Sequence, residues 1–300
     1  LSYDLWDQIV DKCELLATDD WVGAPGTVFK TYKYKEFVIK EFKLFDDPVY
    51  YRFVQNTNGL LPRILTGLMD ARKKAKKQKS SAKDPFMKAV FDGKQLAIKV
   101  SCNSVYGFTA SLMIPNVDIA ACVTGIGRSC ILETKYLMEK HYPCKVIYGD
   151  TDSNYVSFWA PDDWEKSNRE YVFHIAPIAA ENVTKLLDEH FTYKDIMELE
   201  FEKALEPMIL YSKKRYLGMG YEAVNDKGKI CMMGIQSVRR DNCYLLKDIC
   251  NEVIDQLVSP DFDLDKTNNS VRGYMTKLMN NEIPLDKLVT SKSLSKPKKC

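Results

Sequence analysis

Two aspartates stand one residue apart in the segment VIYGDTDSNYVSF, residues 146–158. Apolar, β-branched and aromatic residues flank them in alternation, which predicts two strands joined by a tight turn. Such a turn brings the carboxylates of Asp150 and Asp152 close together. Like charges at that distance repel, so the pair either resists full ionisation or binds a metal cation. Aspartate and glycine are also common turn formers, and that simpler interpretation stays open from this segment alone.

The composition is that of a globular protein with more than one lobe. At 300 residues with 45% hydrophobic content, the chain can bury a sizeable core in two or three compact parts. Its 43 basic and 41 acidic residues leave a formal net charge of only +2. Net charge therefore says nothing about a polyanionic partner, and the distribution of charge has to decide.

The nine cysteines form no Cys-x-x-Cys pair, so the three histidines have no such pair to complete a metal site with. This pattern predicts reduced cysteines, mostly in the core, and disfavours a structural zinc site. No apolar run reaches the ~18 residues of a membrane span, and the start of the chain lacks a signal-peptide pattern. We expect an intracellular, soluble protein of the nucleus or cytoplasm, with no membrane partner.

Local patterns predict the elements that position the two aspartates. Alternating residues 27–45 indicate strands. The segment that starts at Leu61 predicts a helix with Ile64, Leu65, Leu68 and Met69 on one face; the polar stretch KSSAKDP interrupts it, and Asp84-Pro85 then begins a second long helix. Together they predict an antiparallel helical hairpin. Further predictions are a helix over 116–140, a helix near 175–190, strands over 198–219 and a helical region after Arg240.

Residues 72–83, RKKAKKQKSSAK, hold seven basic side chains and no acidic one. A run like this is ordinarily a solvated surface, and phosphate or nucleic-acid binding is the alternative. Arg72 and Lys76 are four residues apart, so both project from the same side of the first helix.

On the second helix Lys99, Asn103 and Tyr106 share one face. If the two cationic faces converge across the hairpin, they surround a volume that suits a triphosphate, and Tyr106 offers an aromatic plane to a base. Core packing is the alternative role for Tyr106.

Three segments carry a resemblance to family B DNA polymerases: KVSCNSVYG (99–107), YGDTDS (148–153) and KKRY (213–216). They are similar to that family's nucleotide-binding helix motif, catalytic hairpin and primer-template motif, and they occur in the family's order. The resemblance extends to a first fingers helix (60–77), to RRDNC at the palm-to-thumb junction (239–243) and to a thumb segment (283–294).

The resemblance implies an α+β fold, a right-hand polymerase core with an antiparallel palm sheet, helical-hairpin fingers and a mainly helical thumb. By it, the palm comprises residues 1–59 and 109–236, the fingers residues 60–108, and the thumb residues 237–300. The palm and thumb so defined are incomplete.

The implied activity is DNA-directed DNA synthesis, in which a deoxynucleotide passes from a dNTP to a primer 3′-hydroxyl. Two Mg²⁺ ions ~3.5–4 Å apart stabilise the entering and leaving oxygens in such chemistry. By the resemblance, Asp152 binds both ions and Asp150 is a nearby carboxylate. Arg72, Lys76, Lys99 and Asn103 would bind the incoming triphosphate, and Tyr106 would lie beside the nascent base pair.

The remaining implied residues concern DNA. Positively charged groups of KKRY would contact duplex phosphates without reading sequence, and Tyr216 would pack near the minor groove. The alternative for KKRY is a solvated charge cluster at a strand end. The DNA-binding set expected from the resemblance is Lys213, Lys214, Arg215, Tyr216, Arg239 and Arg240. Glu202 and Lys203 resemble family positions near the active site.

The family's first palm motif, which carries another metal-bridging aspartate, and its exonuclease domain are not in these 300 residues. We therefore expect this chain alone to bind primer-template weakly and not to extend it. Its compact fingers favour a large DNA virus as the source, and a processivity factor is a further expected partner. A non-catalytic nucleic-acid-binding module is the alternative function, but paired carboxylates beside phosphate oppose simple binding and favour the enzyme.

Overall fold

The computed structural model describes residues 1–44, 49–111, 115–189, 197–239, 241–259 and 261–292. The described residues form seven α-helices and three antiparallel sheets, so the α+β class predicted from the sequence is confirmed. Among them, no helix combines the length and apolarity that a membrane span requires. The chain divides into two compact units, one of residues 1–159 and 179–199, the other of residues 160–178 and 200–300.

A four-stranded antiparallel sheet follows the first helix in the first unit. The alternating segment predicted as strands forms its second and third strands, joined at a tight turn where Lys35 has a positive φ. The first helix and the two outer strands were not predicted from the sequence. These elements are α1 (Tyr3–Ile9), β1 (Glu14–Asp20), β2 (Val28–Tyr34), β3 (Phe37–Lys43) and β4 (Tyr50–Val54).

Helix α4 (Val117–His141) packs against this sheet and leads into the hairpin of the two aspartates. The strands of that hairpin are β5 (Cys144–Asp150) and β6 (Ser153–Phe158). The predicted helix over 116–140 is thus confirmed. One buried cluster contains Phe29 and Phe42 of the sheet, Leu137 of α4 and Val146 of β5. Since these side chains pack in one core, the base of the hairpin is fixed against α4.

The loop after β1 is also anchored to α4. The Gly23 N–H donates a 2.7 Å hydrogen bond to the buried carboxylate of Glu133, and the hydroxyls of Thr27 and Ser129 lie 2.9 Å apart. A Cβ at Gly23 would collide with the α4 backbone at Leu132. Only glycine allows this approach, and the buried carboxylate gains the partner that it needs.

Helices α2 (Leu60–Ser81) and α3 (Pro85–Thr109) form the predicted antiparallel hairpin. Asp84 caps α3 by accepting from the Phe86 N–H at 3.1 Å. Helix α2 continues through Ser81, so the prediction that the polar stretch from residue 79 lies outside the helix was wrong for residues 79–81. The Ser81 hydroxyl donates to the Lys77 carbonyl and Lys79 pairs with Asp92 of α3 at 2.7 Å, and both contacts stabilise that turn.

The apolar face predicted for α2 is only partly the packed one. Leu65 and Leu68 are half-buried, whereas Ile64 and Met69 are 42% and 49% exposed. The side of α2 that packs against α3 is rotated around the helix axis from the predicted apolar face, so it includes polar side chains and the buried Ala75. It comprises Leu61, Leu65, Leu68, Arg72, Ala75 and Lys79.

The second unit contains a three-stranded sheet of β7 (Ala204–Ser212), β8 (Arg215–Tyr221) and β9 (Lys229–Met233). Leu217 of β8 packs with Ile254 and Val258 at the end of α6 (Tyr244–Leu257), and α7 (Leu264–Met279) follows. The predicted strands over 198–219 begin only at residue 204, and the predicted helical region after residue 240 is confirmed.

Helix α5 (Asn168–Asp188) is longer than the predicted helix near 175–190. Its first turns lie in the second unit, where the Arg169 guanidinium lies 3.6 Å from the ring centre of Tyr221 and 2.9 Å from the Glu206 carboxylate. Its last turns contribute Val183 and Leu187 to the core of the first unit.

Candidate active site and nucleic-acid interface

The turn between β5 and β6 consists of Thr151 and Asp152, because Asp150 pairs with Ser153 in the antiparallel register. Thr151 has a φ of 58°, and the Asp152 N–H donates to the Asp150 carbonyl at 2.7 Å. The tight turn predicted from the sequence is therefore present. It places both aspartates within three consecutive residues at the tip of a hairpin.

The two carboxylates have different surroundings. Asp150 is half-buried and accepts two hydroxyl donors, Tyr148 Oη on Oδ2 at 3.2 Å and Thr151 Oγ1 on Oδ1 at 3.0 Å. Asp152 is exposed and accepts a longer bond of 3.3 Å from Ser153 Oγ. Because two hydroxyls orient Asp150, its rotamer is fixed locally, whereas Asp152 presents its oxygens outward from the tip.

Strand alternation places Tyr148, Asp150, Ser153 and Tyr155 on one face of the hairpin. The rings of Tyr148 and Tyr155 lie 5.5 Å apart across the two strands. Gly149 faces the other way, and a Cβ there would contact Ile131 of α4. Thus one face packs on α4, and the opposite face carries the hydroxyls that orient the acid pair.

The donor chemistry of this tip suits Mg²⁺. Its side chains supply carboxylate and hydroxyl oxygens, and Mg²⁺ binds one or two carboxylates and completes its shell with water and substrate phosphate. Throughout the described ranges, no group of three or more His, Cys, Asp or Glu side chains is arranged to hold a metal ion. The acid pair would therefore hold a metal only together with other oxygen ligands.

The helical hairpin brings Arg72 to α3. Its Nε donates a long, 3.5 Å hydrogen bond to Gln95 Oε1, one turn before Lys99. Lys76 is exposed on the next turn of α2 toward the connecting loop. Arg72 thus lies about one helical turn from the level of Lys99 along the antiparallel pair, and convergence of the two cationic faces stays a prediction.

Lys99, Asn103 and Tyr106 are all exposed along one side of α3. Tyr106 has 40% of its surface exposed, which argues against the core-packing alternative. The arrangement offers one ammonium, one amide and one aromatic ring in a row. These groups are suited to phosphate, polar and base-stacking contacts, respectively.

In the second unit, the KKRY segment forms the tip of the β7–β8 hairpin. Ser212 pairs with Arg215, so Lys213 and Lys214 occupy the turn, and Lys214 has a φ of 59°. The three basic side chains are exposed, whereas Tyr216 is half-buried and pairs with Leu210. This is a compact cationic tip, suited to phosphate contacts that do not depend on base sequence.

Sequence reasoning missed the residue that supports this tip. Gly234, directly after β9, has a φ of +63°, and a Cβ there would collide with the carbonyl oxygen of Lys214. The glycine therefore lets the chain pass directly against the KKRY turn. Its only sequence signal is a glycine immediately after a strand-like run, which is a weak one.

Other residues expected near DNA or the active site are engaged locally. Arg239 forms two bonds with Asp241, at 3.1 and 3.0 Å, and this pairing lowers the pKa of Asp241. Glu202 and Lys203 pair at 3.1 Å. Burial alone would lower the pKa of Lys203, but its hydrogen bond with Glu202 and the charge of that carboxylate raise it overall. Arg240 lies outside the described residues.

Comparisons with known proteins all point to one family. A profile described as "DNA polymerase family B" matches residues 25–300. Over 256 residues the chain is 39% identical to the DNA polymerase delta catalytic subunit of Arabidopsis thaliana, which covers 81% of this chain and 22% of that protein. The corresponding subunit of Candida albicans is 36% identical over 275 residues, covering 86% and 25%.

A solved structure of a family B DNA polymerase from the hyperthermophilic archaeon Pyrobaculum calidifontis shares the fold. It superposes with a TM-score of 0.54 and 24% sequence identity, over 82% of this chain and 29% of that one. The chain thus spans roughly a quarter of the length of the proteins it matches.

Proposed function

This chain belongs to DNA polymerase family B, and we propose that it forms part of the polymerase core of an enzyme for template-directed DNA synthesis. The observation that carries the proposal is the acid tip of the β5–β6 hairpin, with Asp152 exposed and Asp150 held by two hydroxyls. The test measures Mg²⁺-dependent primer extension by an active form of the protein and by the same form with Asp152→Asn.

In this proposal Asp152 and Asp150 hold Mg²⁺ at the hairpin tip. When bound, the metal supplies charge stabilisation for the attacking and leaving oxygens of an in-line phosphoryl displacement. The chain's own contribution is orientation, because Tyr148 and Thr151 restrict the Asp150 carboxylate while the strands fix the backbone of the turn. Asp152 offers outward oxygens for the shared coordination.

The helical hairpin is proposed to bind the incoming deoxynucleotide. Arg72, Lys76 and Lys99 would neutralise the triphosphate, and Asn103 would add an amide donor. Tyr106 would lie beside the nascent base pair. Support comes from the position of Arg72 one turn from Lys99 and from the exposure of the α3 row.

Primer-template DNA is the proposed partner of the KKRY tip, through Lys213, Lys214 and Arg215, with Tyr216 packing near the minor groove. Arg239 would add a phosphate contact only if the phosphate competes with Asp241 for its guanidinium.

The palm, fingers and thumb boundaries given from the sequence are part of this proposal. A processivity factor, a nuclear or cytoplasmic site of action and a viral source also stay predictions; the relatives named above are eukaryotic.

The second candidate, a nucleic-acid-binding module without chemistry, predicts that Asp152 can be neutralised without loss of any function. Removing a carboxylate beside phosphate would then improve DNA binding. The exposed carboxylate at the hairpin tip favours the enzyme.

Tyr148→Phe should lower the rate of extension by about tenfold, because a hydrogen bond to a charged group is worth ~1.5–3 kcal/mol at most and part of that is recovered from water. The Mg²⁺ concentration for half-maximal rate should rise, since Asp150 loses one of the two donors that orient it. Tyr155→Phe is the matched control, being the neighbouring ring across the hairpin. An unchanged Mg²⁺ dependence would contradict the positioning role.

Replacing Lys213 and Lys214 together by glutamine should weaken binding to duplex primer-template and reduce the slope of log affinity against log salt by about 0.9 per lost phosphate contact. Anisotropy titrations at several salt concentrations measure both quantities. The apparent KM for nucleotide should change little. A changed nucleotide KM with an unchanged salt slope would show that this tip serves the nucleotide instead.

A further inference from the structure

The basic run of α2 has two sides. Arg72 and Lys79 point to α3, where they contact Gln95 and Asp92. At 100° per residue, Lys73, Lys74 and Lys77 lie on the opposite side of the helix, and all three are exposed. We call these three residues the outer lysine surface.

Carboxylates compensate little of this charge. Lys73 lies 3.4 Å from Glu198, but both side chains are more than 60% exposed, and such pairs contribute little. In the described part of the chain, the side-chain ammonium groups of Lys74 and Lys77 take part in no hydrogen bond or ion pair. Asp70, one turn before Lys74, is not paired with it. Concentrated positive charge without a partner in the fold points to an external anion.

We propose that the outer lysine surface binds the sugar-phosphate backbone of single-stranded DNA, the unpaired template ahead of the nascent base pair. This inference rests on the proposed function, which places the nucleotide beside Arg72 and Lys76 on the other side of the same helix turns. An α-helix with its side chains is ~10–12 Å across, so a template strand that runs from the nascent pair around this helix would come within reach of these lysines.

The chemistry of the surface selects the partner. Lys74 and Lys77 are separated by ~4.5 Å along the helix, and flexible ammonium groups at that spacing contact successive phosphates without reading bases. Binding of this kind is electrostatic and depends steeply on salt. An acidic protein segment would need the same charges, but it has no second observation in its favour, whereas the nucleotide site on α2 and α3 brings a DNA strand to this helix.

The test compares a Lys74→Gln, Lys77→Gln double variant of the chain with a Lys94→Gln, Lys135→Gln double variant. The control removes the same charge from exposed positions on α3 and α4. The probes are an oligothymidine, a blunt duplex and a primer-template with a long 5′ template overhang, each titrated by anisotropy at several salt concentrations. A polyglutamate chain serves as an acidic protein substitute.

We expect the outer variant to lose about tenfold or more of its affinity for oligothymidine and for the overhang substrate, with a salt slope lower by about 1.4, at ~0.7 per single-strand contact. Blunt-duplex affinity and the control variant should be unchanged. Equal losses in both variants, no binding of oligothymidine by the parent chain, or a loss confined to polyglutamate would each overturn the proposal.

The proposed function has a separate test, which is the primer-extension assay on the Asp152 variant. A chain whose outer lysine surface binds oligothymidine while Asp152 is dispensable for extension would contradict the catalytic proposal alone. Conversely, loss of extension in Asp152→Asn together with unaltered single-strand binding in the outer variant would contradict only this inference.

Discussion

Asp152→Asn should reduce Mg²⁺-dependent primer extension by at least about 10³-fold, the scale expected when a group that organises transition-state charge is lost. The substitution keeps the size of the side chain and removes only its charge. Asp152 is exposed at the hairpin tip, so its loss leaves the core of the first unit unchanged. Affinity for primer-template should stay within a few-fold, which separates a catalytic defect from a folding defect.

Metal binding gives a readout that does not require activity. Tyr148 and Tyr155 lie on the same face of the hairpin as Asp150, so they can sensitise luminescence from Tb³⁺, a hard cation that prefers oxygen ligands. Asp152→Asn should weaken this signal, and Asp162→Asn, at an exposed aspartate in the second unit, should not. Near-normal extension by the Asp152 variant would remove the acid pair from the mechanism.

Elements whose stability is local were predicted well from the sequence. Asp84 and Pro85 start α3 through a cap bond and a preset φ, and both effects depend only on neighbouring residues. The β5–β6 turn likewise follows from short-range preferences. The acid pair could thus be placed at a hairpin tip from its own segment.

The remaining features depend on tertiary contacts. The last turn of α2 is stabilised in part by the pairing of Lys79 with Asp92, which belongs to the next helix. The packed face of α2 includes Arg72 and excludes Ile64, since the neighbouring helix supplies Gln95 as a polar partner. Gly234 is needed only because the Lys214 carbonyl lies against it. No pattern within one segment carries such information.

The second large expected effect concerns Lys99 in the helical hairpin. Lys99→Ala should raise the apparent KM for dNTP and lower the maximal rate, together reducing kcat/KM by about 10²–10³-fold. The reason is that a cation at the triphosphate stabilises the negative charge that shifts toward the leaving group in the transition state. Lys99 is exposed and outside the α2–α3 contact face, so the hairpin should stay folded. Circular dichroism checks that point.

Arg72→Ala should reduce kcat/KM by a similar factor and also weaken the hairpin, because Arg72 lies in the contact face and bonds Gln95. Gln95→Ala is the matched control: it removes the same interhelical bond and keeps the guanidinium. If the charge of Arg72 acts on the triphosphate, Gln95→Ala should leave kcat/KM within about tenfold of the parent, since an interhelical neutral hydrogen bond contributes only ~0.5–1.5 kcal/mol. Equal losses in the two variants would mean that Arg72 serves the packing of α2 on α3, and that Lys99 binds the phosphates without it.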